Sequence, residues 1–425
     1  MIYNKSTFNA DWDTSPLNKL GDFWRGKSKH RPRNDPKLFV GGRYPFIQTG
    51  DIKASNLYID SHSSLYNDLG LQQSKLWDSG TLCITIAANI AETGILAYPM
   101  CFPDSVVGFV ANKNKTSELF MHYVFSYIKK RIQNSAIGSI QDNIDIALLT
   151  GLEFKIPKKP IQDKIVELLS AIDLKIALND KINAAFELIA KTLYNYWFVQ
   201  FDFLNEEGKP YKTSGGEMEY NEVLKREIPA GWKVENLASS EITQIIDVGI
   251  ENYSGSKIYL STAEVENAEI VNHTITETIE TKPSRANMQP VFNSVWFARM
   301  KDTKKLILVS ESSNEIVKNY IFSTGFAGIK VPNYALYYLW NFINDPYFEE
   351  MKNKKATGST QKSIINETIS SIPLVIPDKK LLEEFNHKTI SLYKNIYKNQ
   401  RENYELMQIR DFLLPLLMIG QVKVN

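Results

Sequence analysis

The chain repeats itself. "AIGSIQDNIDIALLTGLEFKIPKK" from Ala136 and "ATGSTQKSIINETISSIPLVIPDK" from Ala356 share Ala, Gly, Ser, Gln, Ile and an Ile-Pro pair in step, at an offset of 220 residues. Trp12 and Trp232, Leu17 and Leu237, and Gly108 and Gly328 keep the same offset. "MHYVFSYI" from Met121 and "LYYLWNFI" from Leu336 are 215 apart, so the second copy gains five residues (220 − 215) just afterwards. A 425-residue chain made this way must fold as two similar units, each with its own core.

Each copy has two parts. The first, roughly 12–157 and 232–377, mixes short β-rich runs with one amphipathic helix. "TLCITIAANI" from Thr81 and "SVWFARM" from Ser294 read as strands. "SELFMHYVFSYIKKRI" reads as a helix capped by Ser117. The second part is helical. Ile165, Ile172, Asn179, Phe186 and Leu193 are spaced by sevens, with Leu168, Ile182 and Ile189 at the intermediate position. Phe385, Leu392, Asn399, Leu406 and Leu413 repeat that frame 220 residues on. There Ile409 matches Ile189, but Lys388, Asn395 and Glu402 weaken the intermediate row. Sustained heptads point to coiled-coil helices, and an Asn at the same core position in both fixes register. In an antiparallel pair about a pseudo-two-fold axis, Asn179 and Asn399 would face each other. A helix over 160–200 is about 60 Å long.

The predicted fold is therefore α+β: two tandem-duplicated mixed α/β domains separated by two long antiparallel coiled-coil helices, with pseudo-two-fold symmetry. The predicted boundaries are 1–157, a helix over 158–204, a polar surface connector over 205–230, a second domain over 231–377 and a last helix over 378–425.

Composition narrows the function. The chain is 43% hydrophobic and 23% charged, as ordinary globular proteins are. The beginning lacks the apolar run of a signal peptide, and no run of 18 apolar residues suggests a membrane span. Cys83 and Cys101, in apolar strand-like stretches, read as reduced, buried thiols of a cytoplasmic protein. The five histidines have no ligand spacing with them, so no metal site is expected. A net charge of +1 excludes a uniformly basic coat for nucleic acid but not local patches. The patches are "RGKSKHRPR" at 25–33, "KKR" at 129–131, "KNKK" at 352–355, and "KPSRANMQ" with "ARMKDTKK" over 282–305.

One of these overlaps "GDFWRGKS" from Gly21, a letter-for-letter match to the phosphate-loop pattern. Such a loop needs a buried strand before it and a helix straight after it. "DWDTSPLNKL" is no buried strand, and Pro32 and Pro36 bar the helix. What remains is a dense run of cations on a stiff loop, suited to a phosphate backbone or a base edge.

"IPKKPIQDKIVELLSAIDLKIALNDKINAAFELIAKTLYNYWFVQFDF" resembles the central region of type I restriction–modification specificity subunits. The matching residues are Ile156, Pro157 and Gln162; Lys175, Ile176, Leu178, Asn179, Ile182 and Asn183; and Trp197, Phe198, Val199, Phe201 and Asp202. "IPAGWKVENL" from Ile228 resembles the Pro-x-Gly-Trp opening of a second target-recognition domain, and "PSRANMQPVFNSVWFARM" from Pro283 a Pro-Ser-Arg-Ala segment in such domains. Two departures stand out. The first domain opens with "DWDTSPL", and the last helix begins "DKKLLEEF".

The resemblance implies a DNA-reading subunit without catalysis and without a cofactor of its own. Two recognition domains would read the halves of a bipartite duplex-DNA target. The helices would dock two modification subunits, which bind S-adenosylmethionine and methylate adenine N6, and a restriction subunit can join. The residues agree with a non-catalytic role. An adenine methyltransferase needs [DN]-P-P-[YF], whereas "NDPY" at Asn344 has one proline and reads as a helix-end turn.

The candidate DNA contacts in the first domain are Arg25, Lys27, Lys29, Arg31, Arg33, Arg43, Gln48, Thr49 and Asp51. In the second they are Lys282, Ser284, Arg285, Asn287 and Gln289, with Arg299 and Lys301 on phosphates. Arg reads guanine and Asn or Gln reads adenine, while lysines position the backbone. The paired loops with Ser139 and Gln141, and with Ser359 and Gln361, serve either as turns or as contacts. Two other classes compete: a coiled-coil scaffold that binds proteins only, and a nucleotide hydrolase using Gly21–Ser28.

Overall fold

The computed structural model describes residues 3–87, 89–137, 146–237, 240–358 and 362–424, without the side chains of 130–137, 148 and 149. Ser139, Gln141, Ser359 and Gln361 lie outside the described residues. The chain forms two compact units, Met1–Asp180 with Glu402–Asn425, and Lys181–Arg401.

In the first unit a five-stranded sheet runs in the order Gly21–Arg25, Val106–Ala111, Leu82–Thr85, Thr93–Leu96, Tyr58–Ile59. A second sheet runs Ser64–Tyr66, Tyr44–Phe46, Met100–Cys101, Leu76–Trp77. The second unit repeats the orders. Its first sheet is Gln244–Ile245, Phe326–Lys330, Ser294–Ala298, Leu306–Val309, one strand shorter. Its other sheet is Thr276–Glu277, Lys257–Leu260, Tyr320–Ser323, Ala286–Met288. Even the exceptions recur: each second sheet has one parallel pairing, Phe46 with Cys101 and Ile258 with Tyr320. A separate two-stranded ribbon pairs Asp13 with Ile156 in one unit and Lys233 with Ile376 in the other, the same register 220 residues apart.

The cores explain the apolar runs. Leu82–Thr85 and Ser294–Ala298 are buried at every residue, because helices or the other sheet cover both faces. Helix Glu118–Ile137 packs Phe120, Val124 and Ile128 on the first sheet, and Phe120 N donates to Ser117 Oγ at 3.1 Å, the cap expected there. Its counterpart breaks in two, Leu336–Asn344 and Pro346–Lys355. Asp345 Oδ1 accepts from Tyr347 N at 2.8 Å, and Pro346 occupies the first helical turn, so "NDPY" is a helix junction. Cys83 and Cys101 are free and buried.

The long helices are Lys159–Tyr194, continued by a π-helical turn Asn195–Val199, and Lys379–Met418. In the first unit Asp173 meets Arg410 and Asn179 meets Asn403; in the second Asn183 meets Asn399. In the second unit Tyr194 also meets Phe385, so in each unit one number rises as the other falls and the segments are antiparallel. Of the predicted seam, Ile165, Asn179 and Phe385 are buried, whereas Ile172, Phe186, Leu193, Leu392, Asn399, Leu406 and Leu413 are half-buried.

The companion row differs from the prediction. Leu168 and Ile189 are exposed and Ile182 half-buried; Leu169, Ile176, Asn183 and Ala190 are buried instead, with Thr389, Ile396, Asn403 and Leu417 on the other helix. The row lies four residues after the first, not three. Lys388 and Asn395 therefore do not weaken the seam: they are exposed outside it. The asparagine pairing also changes. Asn179 Nδ2 donates to Asn403 Oδ1 and Asn399 Nδ2 donates to Asn183 Oδ1, both at 2.8 Å. One bond is thus made twice, at the 220-residue offset. The connector is more structured than predicted, with a hairpin of Met218–Asn221 and Arg226–Pro229 and Asp202 binding Thr213 N at 2.8 Å.

Candidate nucleic-acid interface

In the first unit the basic loop leaves the sheet at its edge. Residues Gly21–Arg25 are a strand paired to Val107 through Ala111, and no helix follows, so the segment lacks the geometry of a phosphate loop. Gly26 permits a tight exit: a Cβ there would lie 2.2 Å from Pro103 O. Beyond it the loop is tied to the segment before Leu76–Trp77. Ser74 Oγ donates to Lys27 O at 2.9 Å, and His30 N donates to Gln73 Oε1 at 3.1 Å.

The cations divide into two groups. Arg31 and Arg33 converge on Asp104, at 3.6 and 2.6 Å, and Arg31 NH1 also donates to Ser28 O at 2.6 Å. Arg43 donates to both oxygens of Asp68 at 2.7 Å; that bond raises the Arg43 pKa and lowers that of Asp68. Arg25, Lys27 and Lys29 are exposed and make no ion pair among the described residues. Gln48 and Thr49 start helix Thr49–Ala54, and Asp51 Oδ2 accepts from Gln48 N at 2.6 Å and Ser63 Oγ at 2.9 Å, as a cap.

In the second unit the candidates precede strand Ala286–Met288. Ser284 and Arg285 are exposed, and Arg285 O accepts from Asn287 N at 2.9 Å and Thr324 N at 2.8 Å. This fixes the backbone and leaves the guanidinium outward. Lys282 Nζ donates to Ala286 O at 3.1 Å. Asn287 O accepts from Gly249 N at 2.9 Å, and Gln289 Oε1 is buried without a partner among the described residues.

Lys301 is exposed, 3.8 Å from Asp302. Arg299 is not an outward phosphate ligand. Its Nε donates to Phe326 O at 3.1 Å, NH1 to Ile364 O at 3.3 Å and NH2 to Asn366 Oδ1 at 2.7 Å. Burial lowers its pKa. It clamps three segments together.

The two clusters occupy comparable places. In each unit the loop after the edge strand of the first sheet meets the last strand of the second or the segment just before it: 27–30 with 73–74, and 249 with 287–288. The cations sit on the first of these segments in one unit and on the second in the other. Three residues outside the predicted set join the first cluster. Lys75 Nζ lies 3.6 Å from the Trp77 ring centroid and 5.3 Å from that of Trp24. No basic run flags Lys75, so the sequence offered no signal for it.

A cavity of about 690 Å³ in the first unit is lined by His122, Tyr123, Lys129, Asp173 and Arg410 among others. Tyr123 OH donates to Asp173 Oδ2 at 2.7 Å and Arg410 NH1 to Asp173 Oδ1 at 2.9 Å. Burial pushes His122 down to about 4. Among the described residues no group of three or more His, Cys, Asp or Glu could hold a metal, and no helix is long and apolar enough to cross a membrane.

Residues 9–188 match the family described as Type I restriction modification DNA specificity domain. The chain is 24% identical over 434 residues to the type I restriction enzyme MjaIX specificity subunit of Methanocaldococcus jannaschii, covering 98% of this chain and 94% of that protein. It is 24% identical over 459 residues to the HindI specificity subunit of Haemophilus influenzae, covering 92% and 97%. The crystal structure of a type I restriction-modification system S subunit from M. genitalium superposes with a TM-score of 0.58 at 15% identity, over 98% of this chain and 99% of that one, a likeness of fold.

Proposed function

We propose that the chain is a type I restriction–modification specificity subunit, as its similarity to that family along nearly its whole length supports, and that each of its two units reads one half of a bipartite duplex-DNA target on behalf of modification subunits. A member of this family is a DNA-recognition component and not a catalyst. The observation that carries the bipartite reading is one scaffold built twice with different loops. Strand order and ribbon register repeat, while cations sit at 25–33 in one unit and at 282–285 in the other. Equal frames with unequal edges suit two half-sites of different sequence.

In the first unit Arg25, Lys27 and Lys29 are the phosphate ligands of this reading, and Arg31, Arg33 and Arg43, which pair with Asp104 and Asp68, are its contacts to base edges or backbone. In the second, Arg285 is the base reader, with Ser284 and Lys282 beside it. S-adenosylmethionine belongs to two modification subunits acting on adenine N6, and a restriction subunit can join them in the cytoplasm. Exposed apolar residues on the long helices, Leu174 and Leu178 in one unit and Leu188 and Ile189 in the other, offer docking surface.

Methylome sequencing of cells expressing this chain with its modification partner tests the reading. Arg285→Ala is expected to relax one half-site by about 1–3 kcal/mol of discrimination and leave the other unchanged. Relaxation in both halves, or methylation without any bipartite motif, overturns it.

A further inference from the structure

We propose that Lys75, held against the indoles of Trp24 and Trp77, is a phosphodiester-binding residue for the first unit's share of the DNA. The proposal rests on the reading that loop 25–33 faces DNA, and extends the interface to a segment that carries no basic run.

The argument begins with Trp77. It is 3% exposed and stacks on Phe102, with centroids 4.7 Å apart and planes 14° apart. Gly108 makes the room, since a Cβ there would come within 2.9 Å of the Trp77 ring. One face of a buried indole is therefore packed on the core. The Lys75 ammonium lies 3.6 Å from that ring. Trp24, 48% exposed on the edge strand, brings a second ring to 5.3 Å from the ammonium.

An ammonium on an aromatic face is attracted by the ring quadrupole and keeps its full charge. Lys75 is exposed and has no carboxylate partner among the described residues, unlike Arg31, Arg33 and Arg43. Its N–H donors are not committed to an acid. A flexible lysine ordinarily loses side-chain freedom on binding; here the indoles have already restricted it.

The placement completes the case. Ser74, the preceding residue, donates to Lys27 O at 2.9 Å, so the backbone before Lys75 is joined to the middle of the basic loop. Arg25 directly follows Trp24. A fixed cation beside Arg25 and Lys27 extends one positive surface, which is what a phosphate backbone requires. In the second unit the residue before the corresponding strand Ala286–Met288 is also a cation, the exposed Arg285, but no aromatic ring lies under it among the described residues. The aromatic anchor thus belongs to one unit only.

The test uses the complex with the modification subunits and duplex DNA containing the methylated motif, with affinity measured over a series of salt concentrations. Lys75→Met keeps the stem on the indoles and removes the charge. It is expected to weaken binding and lower the slope of log K against log salt by about 0.9, the release from one phosphate contact. Lys75→Arg should keep the slope. Lys27→Ala is the reference for the loop. If Lys75→Met leaves the slope unchanged while Lys27→Ala lowers it, Lys75 is only a packing residue and the proposal is overturned. If neither changes the slope, the loop does not face DNA and the parent reading of the first unit falls as well.

Discussion

Gly108 in the first unit and Gly328 in the second sit at the same place in the same sheet, and each leaves room for a tryptophan ring. The rings come from different strands. Gly108 faces Trp77, from the edge of the second sheet, and Gly328 faces Trp296, from the neighbouring strand of its own sheet. The helix that packs over each sheet shows the same freedom. In the first unit His122, Tyr123, Asp173 and Arg410 line a polar cavity. At the corresponding positions of the second, Tyr337 stacks on Tyr393 with centroids 4.6 Å apart, Asn341 Nδ2 donates to Tyr393 OH at 2.8 Å, and Ala190 replaces the arginine. Duplication preserved the path of the backbone and the openings in it. What fills an opening changed, because many side chains fit one volume if total volume is kept.

The largest expected difference lies at that junction. Asp173→Ala removes the acceptor of the Tyr123 hydroxyl and one of two carboxylates on the Arg410 guanidinium, which keeps Asp411 at 2.9 Å. Arg410 is partly exposed, so the loss belongs at the low end for a broken buried pair, about 3 kcal/mol. Tyr393→Phe removes one neutral hydrogen bond from the second unit and costs about 1 kcal/mol. Hydrogen exchange of peptides from each unit reads the two effects separately; equal losses would erase the contrast between polar and aromatic junctions.

A smaller contrast concerns the glycines. A Cβ at Gly328 would meet the fully buried Trp296 at 2.6 Å, so Gly328→Ala should destabilise by about 2–3 kcal/mol. At Gly108 the nearest approach is 2.9 Å, to a ring on an edge strand, and the loss should be about 1 kcal/mol. Urea unfolding of the two variants ranks them, and the reverse order would show that the first opening is the tighter.

Near neutral pH the smallest effect is a pH dependence. Burial holds folded His122 at about 4, below the unfolded value near 6.5, with Asp173 raising it and Arg410 lowering it. The unfolded chain takes up this proton first. The contribution is therefore complete above about 6.5 and is lost as pH falls toward 4. Burial also lowers His273 in the second unit, so the readout must be local. Exchange protection of peptides over 118–128 should decline across this window, and His122→Asn should flatten the decline.

The repeat made the architecture legible, since the offset of Ile156 and Ile376 reappears as ribbon register. Ser117 and "NDPY" were legible because caps and prolines act locally. The seam was legible in its first row only. Spacings of three and four both keep a helical face, and Ile182 and Ile189 are as apolar as Ile176, so sequence favoured the wrong companion. The cations were visible as runs. That Arg299 turns inward to Phe326, Ile364 and Asn366 depends on segments distant in sequence, and so does the approach of Lys75 to Trp24.

The two asparagine bonds have a consequence for how such genes can change. Each copy carries its own "N-x-x-x-N", as "NDKIN" from Asn179 and "NQREN" from Asn399, and each copy supplies one donor and one acceptor. Neither sequence is specialised for its place. A recombination event that replaced one copy with that of a relative bearing the same five-letter pattern would restore both bonds without compensating substitutions. New recognition loops could then be acquired wholesale, with the joint between old and new already cut to fit.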